Sequence, residues 1–490
     1  MDRRLFARKI AASTGALTAW NFTAAKLAGS PQNTGGNHAF NRPWTELDAG
    51  KNSSYYRIKK SIDSVRSIDT HEHLQTFDQL PAYVETARGR GVNLCGLWRS
   101  SYLERIKSIT PWKSGEKFEE WWQQAKQDFD NVRAADFYRY MWLAFRDLYH
   151  VDFDHITDAQ AAEIDQRIFN NYRDRRWLDH VLQKRANIQF IICDRFWKRF
   201  DFHADYPFEF LTFNVTPLVW GFHPSEYFEG NHNGEIRGNF DNPYLYARQR
   251  GVPMNSLDDY LVLIERMFMD AKKGDSVCLK TTIAYARTLY FENVPKERAA
   301  RAFGRSRSDL GAEEAKVFED FIMWRLTEFS AKYDMPFQIH TGDARIQGSN
   351  PMLLVNLIEA NPQTKFELFH GGYPWVRESG AIGNKFGRHV WLNGVWLPAI
   401  SYTMAKRAFA EWLEVMPSDR ITWGGDDMDA EGIYGETELT RRCWAEVLSE
   451  KVDRGELAED DALRIGQQIF RNNALALYPR LKEQAEGTQA

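Results

Sequence analysis

The 490-residue chain has only four cysteines, Cys95, Cys193, Cys278 and Cys443, far apart and without a CxxC pair. That excludes a disulfide framework and a thiolate zinc site, so any metal chemistry falls to histidine and carboxylate. Cys193 and Cys278 lie inside apolar runs and read as small buried hydrophobes. Charge of one sign is also missing. Sixty-three basic residues against 67 acidic ones leave a net charge of −4, which argues against a nucleic-acid or anionic-membrane surface. A small anionic substrate must therefore be held by local groups. No stretch approaches a membrane-spanning helix, and no repeat of solenoid length is visible. What is abundant is aromatic side chain, 14% of the chain, within an otherwise ordinary 43% hydrophobic and 27% charged composition. Rings in that number belong to a heavily aromatic core or to a site that stacks on them. Length alone allows one very large domain or two to three ordinary ones.

Residues 1–30 open with Arg3-Arg4-Leu5-Phe6, followed by a weakly apolar Ala/Thr-rich run and Lys26-Leu27-Ala28-Gly29-Ser30. They resemble a twin-arginine export signal, although Asp2 replaces the usual Ser or Thr and no A-x-A cleavage triplet follows. The resemblance implies export in the folded state, to the periplasm or beyond. An amphipathic cytosolic helix is the alternative, and with it a cytoplasmic protein. A polar linker and N-terminal extension occupies 31–60.

Beyond it, eight β-rich runs alternate with helical patterns: 67–73, 187–194, 208–219, 276–285, 336–343, 365–372, 389–396 and 421–427. That alternation predicts an α/β fold, a (β/α)8 barrel spanning 61–480, with a polar tail at 481–490. The gap at 74–186 is far longer than a loop, and its helical periodicity predicts a helical insertion with little β character on the catalytic face. Many rings lie there, including Trp98, Tyr102, Trp121, Trp122, Phe137, Tyr138, Trp142 and Phe145. Their spacings of three and four favour a helix core, with some left to roof a pocket.

The first run ends in His71-Glu72-His73, and strand alternation puts both imidazoles on one side. His340, His370 and Asp426 end the fifth, sixth and eighth runs, and in a barrel those ends converge on one mouth. In this order the residues resemble the amidohydrolase superfamily. His370-Gly371-Gly372-Tyr373-Pro374 and Arg471-Asn472-Asn473-Ala474 are similar to its amidohydrolase-related branch of metal-dependent hydrolases and decarboxylases. The resemblance implies that His71, His73, His340 and Asp426 hold one divalent ion, zinc or alternatively manganese. It implies that His370 is a ligand or a catalytic group beside the ion, and that Asp426 doubles as the proton carrier. Lys280 ends the fourth run, where three roles stay open: contact with a substrate carboxylate or carbonyl, a carboxylated bridge to a second metal, or a structural ion pair. Arg287 suits a carboxylate or a surface ion pair. Tyr373 and Trp375 follow the sixth-run histidine and suit a pocket wall or core packing.

Three imidazoles and a carboxylate suit a cation with an open position that activates water, so the first expectation is a hydrolase attacking a carbonyl of a small polar or carboxylated substrate. Metal-dependent decarboxylation and a uronate-isomerase-like reaction use the same residues. A non-catalytic periplasmic protein binding metal or sugar acid is the alternative outside the enzymes. The oligomeric state is not readable from the sequence.

Overall fold

The protein is described from a computed structural model over residues 50–487. The expected export signal and the linker as far as residue 49 lie outside the described residues.

Eight strands form one sheet in chain order: β1 (Ser67–Glu72), β2 (Ile188–Cys193), β3 (Glu209–Asn214), β4 (Ser276–Thr281), β5 (Phe337–Ile339), β6 (Phe366–Leu368), β7 (Val390–Asn393) and β8 (Ile421–Thr422). Every neighbouring pair is parallel. Bonds between β1 and the residues after β8 close the ring: Thr70 N donates to Trp423 O (3.3 Å), Asp426 N to His71 O (2.9 Å) and His73 N to Asp427 O (2.8 Å). This is the expected (β/α)8 barrel. Its strands are buried on both faces, which explains why they read as nearly continuous apolar runs.

The longer helices are α1 (Ser53–Ser64), α2 (Asp136–Tyr149), α3 (Asp158–Asn171), α4 (Leu257–Lys273), α5 (Ala312–Tyr333), α6 (Val376–Phe386), α7 (Tyr402–Val415) and α8 (Ala430–Asp453). Their ends follow local chemistry. Thr157 with Gln160 and Ser256 with Asp259 close capping boxes on α3 and α4, while Lys272 and Lys273 sit in the last turn of α4, where the helix dipole favours cations.

Three expectations need correction. The runs at 208–219 and 276–285 are strand only to Asn214 and Thr281, and continue as 3₁₀ turns at Thr216–Trp220 and Ile283–Tyr285. The insertion is mainly helical but opens with an antiparallel hairpin, Tyr83–Thr86 paired with Gly89–Val92. The glycine at 89 (φ 99°) supplies the positive backbone angle that its turn requires. The polar tail is partly structural, because a helix runs over Pro479–Gly487 and buries Leu481 and Ala485.

The insert's rings do form a core. Trp98 stacks on Tyr138 at 5.3 Å and also meets Phe129, Phe145 and Phe153. That core is continuous with residues of β1 and β2, so the insert and the barrel share one apolar cluster. Among the described residues no helix is long and apolar enough to cross a membrane.

Candidate functional site

The strand alternation of β1 turns His71 and His73 the same way, towards Asp426. His73 Nε2 lies 2.9 Å from Asp426 Oδ1, and His71 Nε2 lies 3.6 Å from the same oxygen. The three ligand atoms fall within 4.8 Å of one another. Nδ1–H of His73 donates to Asp194 O at 2.8 Å, which orients the ring so that Nε2 faces Asp426. Burial pulls the His73 imidazole down, but the adjacent Asp426 and Asp194 outweigh it and leave it raised.

His340 and His370 take a different arrangement. They lie one and two residues beyond β5 and β6, with His340 Nδ1 2.8 Å from His370 Nε2. His370 Nδ1 lies 3.3 Å from Val395 O and 3.7 Å from Asp426 Oδ2. If Nδ1–H of His370 bonds Val395, its Nε2 accepts from Nδ1–H of His340, and His340 Nε2 carries the free lone pair. That nitrogen is buried and has no hydrogen-bond partner among the described residues. Burial holds both imidazoles well below the usual histidine range, His370 further through His340 and Lys280, and His340 further through Lys280. His71 is held low in the same way, by burial and then by Lys280. Neutral imidazoles and a carboxylate are the donor set of a zinc-type or manganese-type ion, so the residues fit the implied metal. His71, His73 and Asp426 form the compact part of the expected ligand set, whereas His340 stands outside that group and contacts His370.

Backbone geometry marks the same place. His370 (φ 62°), Trp396 (φ 61°) and Asp426 (φ 81°) are non-glycine residues in left-handed conformation, a strain that clusters at functional sites. The chain after β8 approaches β1 so closely that a Cβ on Gly425 would stand 2.2 Å from Glu72 Oε1. Buried carboxylates lie behind the site. Asp69 Oδ1 accepts from His71 N and Gly425 N, and Glu72 Oε2 accepts from Asp427 N at 2.7 Å, tying the two ligand-bearing segments together.

Lys280 is the next-to-last residue of β4, 1% exposed, with Nζ 3.7 Å over the Phe369 ring and no hydrogen-bond partner among the described residues. Burial pulls it down to about 8 against the opposing pull of Asp194, Asp426 and Glu367. A buried ammonium without a hydrogen-bond partner is costly, and among the described residues no carboxylate forms an ion pair with Lys280.

Two other expectations change. Arg287 is tied to α5, through Glu319 Oε2 at 2.8 Å and Asp320 Oδ1 at 2.6 Å, the ion-pair alternative of the two expected for it. Tyr373 packs on the hydrophobic core, and neither its side chain nor that of Trp375 makes a hydrogen bond or ring contact with the histidines among the described residues. The rings at the site are others. Tyr285 meets His340 at a tilt (4.6 Å), Trp396 stands edge-on to His370 (5.5 Å), and Phe369 stands edge-on to His71 (4.8 Å).

The insert adds two side chains from the turn Tyr102–Arg105. Tyr102 Oη donates to Asp426 O at 2.6 Å, and Arg105 lies over Trp396 at 4.7 Å. Tyr102 is one of a dozen rings at helical spacing and Arg105 one cation among many, so no sequence signal singles them out.

Comparison with known proteins agrees with the barrel. Residues 240–480 match the family model described as Amidohydrolase. Protein fluG of Emericella nidulans is 27% identical over 223 residues, 42% of this chain and 25% of that protein, so the match spans only a quarter of the relative. The crystal structure of a uronate isomerase from Thermotoga maritima superposes with a TM-score of 0.67 at 15% identity, covering 87% of this chain and 98% of that one. A glucuronate isomerase from Caulobacter crescentus gives a TM-score of 0.66 at 12% identity, over 87% and 94% of the two chains. At such identities the likeness is one of fold, and its coverage takes in the insert as well as the barrel.

Proposed function

We propose that the chain, which carries an amidohydrolase-family barrel segment over residues 240–480, interconverts the aldose and ketose forms of an open-chain sugar acid with the help of one divalent ion. The observation that carries this reading is the contact pair of neutral imidazoles, His340 and His370, beside the buried Lys280. Aldose–ketose exchange removes hydrogen from C2, returns one to C1, and moves a hydroxyl proton from O2 to O1, with no water consumed. A neutral imidazole takes such a proton and, once charged, gives it back near neutral pH. His340, with its free Nε2, is the base in this scheme, and His370 relays through the 2.8 Å contact. Lys280 faces an oxygen on which negative charge grows. An ion held by His71, His73 and Asp426, zinc or alternatively manganese, supplies Lewis acidity at a carbonyl or hydroxyl oxygen. The likeness to two uronate isomerases over barrel and insert together supports the reading.

Glucuronate and galacturonate incubated with zinc-loaded or manganese-loaded protein are expected to yield the corresponding keto acids, observed by NMR. No conversion in either direction with either metal would refute the proposal. Hydrolysis is the second reading, favoured by the family model and by Asp426 at the centre of the ligand set. Oxygen-18 from solvent in the carboxylate formed from a lactone or amide would establish it instead.

A further inference from the structure

We propose that Arg105, brought to the barrel mouth by the insert, binds the carboxylate of the substrate, and that Asp343 occupies its place until the ligand arrives. This rests on the sugar-acid reading and adds which residue reads the acid group.

Arg105 is the last residue of the turn whose first residue is Tyr102. The bond from Tyr102 Oη to Asp426 O and its 4.6 Å contact with Trp396 pin that turn to the mouth. Three residues on, the guanidinium carbon stands 4.7 Å from the centre of the Trp396 ring, and Trp396 in turn meets His370 at 5.5 Å. Arg105 is thus one ring away from the imidazole pair. Stacking holds its planar fork in one orientation while leaving the in-plane donors available.

Access separates it from the other cations. The Arg105 side chain is 35% exposed, so an anion arriving from solvent reaches it. Lys280 is 1% exposed and meets only a ligand already inside, while Arg287 is tied to two carboxylates of α5. Among the described residues the only carboxylate partner of Arg105 is Asp343, at 2.9 Å from Nη2, three residues beyond His340. Both partners are partly exposed, and an exposed ion pair contributes about 0–1 kcal/mol. A ligand carboxylate that takes the fork in bidentate fashion replaces it at little cost. The arrangement selects a chain with a terminal carboxylate at the mouth and hydroxyl-bearing carbons reaching inward to His340.

Titration calorimetry on the metal-loaded full chain tests this with two unreactive probes, gluconate and sorbitol, which differ by a terminal carboxylate. Charged hydrogen bonds of this kind correspond to about 10–100-fold in affinity. The native protein is expected to prefer gluconate by at least about tenfold. Arg105→Met abolishes that preference by weakening gluconate alone, with sorbitol within about twofold of native, and Arg105→Lys falls between. Asp343→Asn removes the competing carboxylate and tightens gluconate binding by a few-fold, an effect that a tether between insert and barrel would not produce. A native protein that fails to bind or to discriminate the probes overturns the sugar-acid reading itself. Discrimination that survives Arg105→Met, or an Asp343→Asn variant that binds gluconate no more tightly, overturns the assignment to Arg105 alone.

Discussion

At the barrel mouth His71, His73 and Asp426 hang from segments tied by backbone bonds, whereas the insert reaches the same mouth through stacked rings and side-chain hydrogen bonds, those to one buried carboxylate prominent among them. Glu431, on α8, accepts from Tyr149 Oη (2.5 Å), Trp177 Nε1 (3.0 Å) and Tyr172 Oη, all donors from the insert. The two regions therefore fail differently. Backbone bonds, with Asp69 and Glu72 accepting from the same segments, hold the ligand-bearing chain independently of the ligand side chains, so changes to the ligands alter chemistry and leave the fold. Insert geometry depends on a few side chains, so changes there alter the fold first and the chemistry through it.

The sharpest test of the first half is Asp426→Asn. Asparagine tolerates the left-handed backbone at this position and keeps the volume, so the fold stays while the charge goes. Turnover is expected to drop by more than about a thousandfold and metal affinity by at least about a hundredfold, with thermal unfolding close to native. Kinetics, plasma mass spectrometry of bound metal and calorimetry check the three together. Retention of metal and activity would break the contrast from the barrel side.

Glu431→Ala tests the other half. It leaves two buried donors and one half-buried donor without their acceptor, a loss of about 3–5 kcal/mol. Limited proteolysis is expected to cut within 74–186 before the barrel is touched, and KM to rise more than kcat falls, because Tyr102 and Arg105 lose their seat. Cleavage spread evenly over the chain would mean that insert and barrel unfold as one unit.

The same contrast governs what can be read from sequence. Parallel strands buried on both faces announce themselves as short apolar runs, and the residue just past each is at the mouth by topology alone. His71, His73, His340, His370 and Asp426 were legible for that reason. The contact between His340 and His370 was not, because it depends on where two loops turn after β5 and β6. Arg287 misled because an arginine near a strand end looks the same whether it faces the ligand or a pair of carboxylates on α5, 32 and 33 residues away. Arg105 and Tyr102 were silent because three-dimensional docking of the insert, not periodicity, brings them to Trp396 and Asp426.

The smallest expected effect lies where insert and barrel meet at Asp147, on α2. Its Oδ1 accepts from Arg146 Nε at 2.7 Å, and Oδ2 accepts from Tyr434 Oη of α8 at 3.2 Å. Burial pushes this carboxyl up to about 7, Arg146 and Tyr434 pull it back, and Glu438 adds to the rise. An acid whose folded value exceeds its ordinary value of 3.8 holds its proton longer in the folded state. Its stabilising contribution is complete below about pH 4 and is lost as the pH rises through about 7. Asp147→Asn cannot ionise and keeps an oxygen acceptor. The variant is expected to match the native protein below about pH 4 and to exceed it by a margin that grows as the pH rises towards 8, seen as thermal unfolding curves that diverge with rising pH. Other carboxylates titrate over the same range in both proteins, so only the difference between them reports on Asp147. Parallel curves would mean that the carboxyl is ionised throughout, held so by Arg146, and that the seam between insert and barrel has no pH dependence of its own.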